Sequence, residues 1–562
     1  MDRAALRDLL LSRRRFLAAC GAGSALGLAQ DSQGSRPATR AVDSQDVAAA
    51  ERLLGLSFSD AERELARARL AEQRRWFEAL RARAVDWHTP PALRFDPWPT
   101  GRPLPEGPGA TFEPLAAPPA FASRTLAEAS GDLAFASIPE MHALLRARLV
   151  SSEELVHHAL RRIAALDPTL LCVVTLLRDE ALATARARDR ELREGRDRGP
   201  LHGIPYGAKD LFFWPGAPTT FGAPPFADLR SDTKATVLAR LEEAGAVLVA
   251  KLSLGALAMG DLWTKGRTRN PWNPQQGSSG SSAGSTAAVV AGIFPFALGS
   301  ETLGSIVSPC VRCGATGLRP TFGAVSRHGA MPLSWSMDKV GPIARSALDC
   351  ALVFDAIRGP DGHDPSVRAA AFPWRNGQDP RGLRIGLLEG SAGAVQPFLD
   401  WLAGQGMQTG TVRLPEFPYR ALLLMLSAEA ATAFDDLTRA GGVRALPGQA
   451  PNDWPNTFRS GRFLPAVEYL RAARVRSELV REVDAALSRY DAVVAAPYGG
   501  EILAATNLSG HPCVVLPLSA GETGAPRSFT LVGRLHGEAA LLTLAEAWQR
   551  ATRWHLRRPP LG

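Results

Sequence analysis

Two periods of apolar residues run through this chain. Short continuous apolar runs alternate with stretches in which apolar residues recur every three or four positions. The first kind reads as buried strands and the second as amphipathic helices. Strands are predicted at 171–177, 204–208, 246–250, 383–388, 492–496, 513–518 and 528–532. Helices are predicted at 139–150, 179–195 and 235–244. Another begins where Ser151 and Glu154 form a capping pair and carries Leu155, Leu160, Ile163 and Leu166 on one face. This alternation predicts an α/β fold for 126–562, with one large sheet core covered by helices on both faces. No internal repeat stands out.

The pattern changes before residue 126. From 45 to about 83 it is helical, with Leu65, Leu70, Trp76, Phe77 and Leu80 as an irregular apolar stripe and Ser59 with Glu62 as a capping box. This N-terminal helical extension reads as an accessory arm packed on the main domain or as a dimerisation arm, which makes a homodimer the candidate assembly. Residues 88–125 are rich in proline, which lacks the N–H needed by helix or ladder, and read as an extended connector. Residues 1–29 differ again. Ser12-Arg13-Arg14-Arg15-Phe16-Leu17 precedes an apolar stretch and the small residues Gly27-Leu28-Ala29, and resembles a twin-arginine signal peptide. The resemblance implies the twin-arginine export machinery as a partner of the precursor, and an exported protein, periplasmic or extracellular. The expected organisation is signal peptide 1–29, disordered start and helical arm 30–87, connector 88–125 and main domain 126–562.

Composition narrows the function. With 562 residues, 46% of them apolar, the chain can bury a large core. The net charge of +8 includes no dense basic tract with interleaved aromatics, so nucleic-acid binding is not implied. Beyond the first 29 residues no apolar run reaches the ~20 residues that span a bilayer. Only five of the 64 basic residues are lysine: Lys209, Lys234, Lys251, Lys265 and Lys339. Arginine cannot act as a base, whereas a buried lysine can lose its proton near neutral pH. A lysine in so arginine-dominated a chain is therefore a candidate base, and all five lie between 209 and 339.

The same region holds two blocks of small hydroxyl residues, Gly277-Ser278-Ser279-Gly280-Ser281-Ser282-Ala283-Gly284-Ser285 and Gly299-Ser300-Glu301-Thr302-Leu303-Gly304-Ser305. The run between them, 286–298, is too apolar for a solvated linker and fits a buried helix and a strand. Such blocks let a ligand approach main-chain N–H groups. One reading is a serine hydrolase. Gly280-Ser281-Ser282-Ala283-Gly284 matches the Gly-x-Ser-x-Gly elbow, with Ser282 as nucleophile and His511 or His536 as partner, although 270–276 makes a poor preceding strand. Another is a non-catalytic protein that holds an anion at a helix N-terminus.

The paired blocks, with no gap in either, resemble the amidase signature of serine amidases. That family's fold is a large mixed sheet between helices. The resemblance implies hydrolysis of a carboxylic amide by a Ser-cisSer-Lys triad: Ser305 as nucleophile, Ser281 as bridging serine after a cis Gly280–Ser281 bond, and Lys209 as base. It implies an oxyanion hole from the backbone N–H groups of Thr302, Leu303, Gly304 and Ser305, a small-molecule or peptide amide as substrate, and no metal or organic cofactor. The helices near 419–440 and 466–488 are expected over the substrate entrance. Departures from the family pattern are Leu303 for a glycine, Val307 for an arginine and Glu301 for an aspartate. Cys310 and Cys313 form a C-x-x-C pair, open to a disulfide in an oxidising compartment; the resemblance favours buried free thiols. Export would separate the protein from tRNA-dependent amidation.

Overall fold

The sheet follows from the alternation of its side chains. Tyr206, Ala208, Leu248, Phe296, Leu298, Val494, Val514 and Leu516 enter one buried apolar cluster. Their strand neighbours Val247, Val249 and Ala297, and Ile343, Val493 and Val515, enter clusters on the other side. A strand buried on both faces reads as an unbroken apolar run, which is why these strands were visible as runs. The computed structural model describes residues 41–83, 95–98, 104–114, 130–521, 524 and 526–561. The export-like stretch and the start of the expected disordered segment lie outside the described residues.

Eleven strands form the main sheet: β1 Val173–Leu176, β2 Pro205–Lys209, β3 Val247–Leu252, β4 Phe296–Glu301, β5 Thr316–Arg319 and β6 Lys339–Ala344. The remainder are β7 Ile385–Leu388, β8 Thr409–Val412, β9 Ala492–Ala495, β10 Cys513–Ala520 and β11 Pro526–Val532. Their spatial order is β1-β3-β2-β4-β6-β5-β10-β11-β9-β7-β8. The sheet is mixed: β2 runs parallel to β3 and β4, and β6 is antiparallel to β4 with Lys339 opposite Glu301. Helices Ala347–Ile357 and Glu538–Thr552 bury residues in the cluster of one face. Helices Ser152–Leu170, Ala283–Val290, Val307–Cys313 and Ala466–Leu487 supply the clusters of the other.

The helical pattern at 45–83 is two helices, Ser44–Leu54 and Asp60–Ala82. Gly55, at φ +64°, ends the first, and the capping box of Ser59 and Glu62 starts the second. The second helix packs on the main domain. Leu80 joins a cluster with Tyr419, Leu422 and Leu479. Glu62 accepts from Arg459 at 2.5 Å and Arg444 at 3.0 Å, and Asn456 Nδ2 donates to the Leu65 carbonyl at 2.8 Å. Residues Ser44–Gly562 form one compact unit. Among the described residues, no helix is long and apolar enough to cross a membrane.

Candidate active site

Lys209 is the last residue of β2 and is fully buried. Its Nζ lies 2.8 Å from Ser281 Oγ, 3.1 Å from Ser282 Oγ, 3.0 Å from Ser300 Oγ and 3.3 Å from the Ser300 carbonyl. Burial disfavours the ammonium and lowers its pKa to about 7, against the opposing charges of Asp338 and Glu301. The amine is therefore poised between its charged and neutral forms near neutral pH.

Ser281 and Ser282 are adjacent but differently engaged. Ser282 Oγ donates to the Ser300 carbonyl at 3.1 Å and accepts the Ser300 N–H at 3.2 Å. Its proton is committed. Among the described residues, Ser281 Oγ has Lys209 as its hydrogen-bond partner. The bond between Gly280 and Ser281 is cis. Glycine is required at 280 by space alone, because a Cβ there would stand 1.8 Å from the Gly260 carbonyl oxygen.

Ser305 lies in the turn between β4 and helix Val307–Cys313. Its carbonyl accepts the Ser282 N–H at 3.1 Å, which fixes this turn against the first serine block. At 9% exposure it is the most open of Lys209, Ser281 and Ser305. Among the described residues, no protein acceptor takes the N–H of Leu303, Gly304 or Ser305. Gly304 takes φ +88°, whereas Leu303 does not enter the left-handed region, so the missing glycine costs the turn no strain.

The turn is held from beneath by Glu301. Its Oε2 accepts the N–H groups of Ile306 and Val307, each at 2.9 Å, and its Oε1 pairs with Arg319 at 2.8 Å and Asn507 at 2.9 Å. Burial alone would raise this carboxyl; the Arg319 guanidinium, the Val307 N–H and the nearby Lys339 together outweigh it and hold the pKa at about 2. Val307, where an arginine was expected, is buried in an apolar cluster. Above the turn, Thr302 Oγ1 donates to Asp338 Oδ1 at 2.5 Å, and the other Asp338 oxygen accepts the N–H groups of Leu333 and Ser334. Burial raises the Asp338 pKa. Ser300, Glu301's four contacts and Asp338 were not singled out as supports by the sequence. Ser300 was the most accessible of these, since it stands inside the second serine block.

The other candidates fall elsewhere. Lys251 pairs with Asp210 at 2.7 Å, both fully buried; Lys234 pairs with Glu242 at 2.7 Å. Lys265 lies over the Trp263 ring at 5.7 Å. Lys339 is buried and contacts the Met337 carbonyl. The poor strand before Ser282 does form, as Asn273–Gly277, because Asn270 and Asn273 side chains accept the N–H groups of Trp272 and Gln275 and shape the hairpin. It pairs only with Arg269–Asn270, apart from the main sheet. His511 Nδ1 lies 2.8 Å from Ser509 Oγ, and the His536 ring sits 5.2 Å from that of Trp98. Cys310 and Cys313 are buried free thiols. Among the described residues no cluster of His, Cys, Asp and Glu fits a metal ion.

A cavity of about 740 Å³ opens beside Ser300 and Thr302. Glu429 and Tyr469, from helices Leu424–Ala433 and Ala466–Leu487, stand in its wall.

The chain is similar to several known proteins. The family model named Amidase matches residues 154–501. A glutamyl-tRNA(Gln) amidotransferase subunit of Roseiflexus sp. is 35% identical over 475 residues, 75% of this chain and 96% of that protein. The native peptide amidase of Stenotrophomonas maltophilia superposes with a TM-score of 0.65 at 32% identity, covering 75% of this chain and 98% of its own. A structure described as revealing the evolutionary origins of an s-triazine catabolic enzyme has a TM-score of 0.68 at 29% identity, covering 74% and 99%. These relatives correct the expected location. Several are named for glutamyl-tRNA(Gln), a cytoplasmic substrate, so the expectation of an exported, periplasmic or extracellular protein does not stand. The arginine motif behind it is a short local pattern, whereas the relatives match three quarters of the chain. The fold is the amidase-signature fold, and the protein is an enzyme acting on carbon–nitrogen amide bonds. The chain belongs to the Amidase family.

Proposed function

We propose that this enzyme hydrolyses a carboxylic amide through an acyl-enzyme on Ser305, with Ser281 as proton bridge and Lys209 as base. The observation that carries this reading is the 2.8 Å separation of Lys209 Nζ and Ser281 Oγ, with the amine buried and its pKa near 7. A serine hydroxyl attacks only when a base takes its proton. Neutral Lys209 takes the Ser281 proton, Ser281 takes that of Ser305, and Ser305 Oγ attacks the carbonyl carbon. The oxyanion is received by the N–H groups of Leu303, Gly304 and Ser305, joined by that of Thr302. Each such donor is worth ~3–4 kcal/mol in other serine enzymes. The proton returns through Ser281 to the leaving nitrogen as the C–N bond breaks. Water then enters by the same relay in reverse and releases the acid. Ser282 fits the nucleophile role poorly, because its proton is held by the Ser300 carbonyl. We place the catalytic domain at 126–562, with the arm at 30–87 and the connector at 88–125 as accessories.

The relatives' name favours a second reading, in which nitrogen released at the same serine passes to a glutamyl-tRNA acceptor with partner subunits. Purified Ser305→Ala tests the first step of both. It should lose turnover by ~10⁴-fold or more while keeping its circular dichroism. Residual turnover near wild type removes Ser305 from the nucleophile role. Glutamine as sole substrate tests the second reading, which requires that it be turned over; failure to turn it over removes that reading.

A further inference from the structure

The proline-rich connector reaches the active-site cavity. Phe95 is buried and stands in the cavity wall. Its ring centroid is 4.8 Å from that of Phe322 in an edge-on contact, and the Arg476 guanidinium lies 3.5 Å over its face. The residues that follow pin it. Asp96 Oδ1 accepts the Trp98 N–H at 3.1 Å, Asp96 also pairs with Arg368, and the Trp98 ring rests beside His536. Phe95 lies well before the matched family region, 154–501.

Phe322, Met331, Leu333, Trp335 and Val340 give the wall its apolar part, and His328 and His363 stand in it with their rings stacked at 4.3 Å. The charged groups there are already engaged. Arg327 binds Asp364 through contacts of 2.8 and 3.0 Å. Glu429 accepts from Ser334 at 2.8 Å, Ser336 at 2.7 Å and Tyr469 at 2.9 Å. Asp338 holds Thr302, and Lys339 turns to the Met337 carbonyl. A substrate carboxylate would meet the acidic side chains of Asp338, Asp364 and Glu429 in the same wall, against Arg327 and Lys339, and would lose its hydration on entry. The cavity meets the site at Ser300, which touches Lys209, and at Thr302, on the oxyanion side; neither Ser281 nor Ser305 stands in its wall.

We infer that this cavity receives the acyl group of the amide, that the group is uncharged and aromatic or aliphatic, and that Phe95 is a specificity-determining residue for it. The inference rests on the proposed role of Ser305. Ring-to-ring and ring-to-methylene contact at Phe95, Phe322 and Trp335 gives the selectivity.

The test uses the purified full chain and primary amides that differ only in the acyl group: acetamide, hexanamide, 3-phenylpropanamide and glutaramate, a carboxylate close to hexanamide in length. Hexanamide and 3-phenylpropanamide should exceed both acetamide and glutaramate in kcat/KM by at least about tenfold. Phe95→Ala should lower kcat/KM for 3-phenylpropanamide by about tenfold, through KM, and leave acetamide within about twofold. Phe95→Leu should recover most of the loss. Equal use of glutaramate and hexanamide overturns the inference, as does an equal loss for every amide in Phe95→Ala. Binding of 3-phenylpropanamide to Ser305→Ala, followed by ligand-observed NMR, separates the pocket from the chemistry. Binding that weakens when Phe95→Ala is added supports the pocket even if Ser305 proves not to be the nucleophile. No binding overturns it.

Discussion

The Glu301 carboxylate and the Arg319 guanidinium meet at 2.8 Å with both side chains buried. Glu301→Gln should leave Arg319 buried without its counter-charge and cost about 3 kcal/mol or more. The carboxyl pKa is about 2 against an ordinary 4.5, so its stabilisation is present above pH 4.5 and fades as pH falls toward 2. Urea unfolding at pH 7 and at pH 3 should therefore show a gap between wild type and variant that narrows in acid. Because the same carboxylate holds Ile306 and Val307, kcat should fall as well.

Activity should rise with pH through about 7 and level off above it, since only neutral Lys209 can take a proton. Asp338 and Glu301 favour the charged form. Asp338→Asn should therefore move the inflection to lower pH, read from kcat/KM against pH. Lys209→Arg should be inactive throughout, because arginine stays protonated.

Glu62 joins the arm to Arg459 and Arg444. Arg459 is almost fully buried and Arg444 is exposed, so the first contact carries the energy. Glu62→Ala should speed amide-hydrogen exchange in Asp60–Ala82 and expose it to limited proteolysis, at a cost of about 1–3 kcal/mol. Unchanged exchange would mean that apolar packing around Leu80 holds the arm alone.

The strands of the main sheet were legible because both faces are buried, so their apolar runs were unbroken. The break at Gly55 was less legible, although Gly55 and the Ser59–Glu62 box mark it in retrospect. The start of helix Ile138–Arg146 was carried by a second box, Ser137 with Glu140, that the apolar pattern alone placed one residue late. The serine blocks and Lys209 stood out by residue type. Their supports did not, because Glu301 reaches Arg319 and Asp338 reaches Thr302 only after β4, β6 and β5 have paired. Phe95 was hidden for a related reason: one aromatic residue among prolines has no period, and only the fold brings it to the cavity.

Lys209 ends β2, Glu301 ends β4 and Lys339 begins β6, on three strands that are neighbours inside the sheet. Interior strands with both faces covered are among the last to open in local fluctuations. Turnover therefore reports on the integrity of the whole sheet, and a folded but chemically dead form has little structural room to exist. The cavity shares Ser300, Lys339 and Val340 with those strands, but the rest of its wall comes mainly from the connector, the loops around Phe322 and Trp335, and the covering helices. Change there can redirect the choice of amide while the reactive centre stays intact, so the fold separates what the enzyme can evolve from what it must keep.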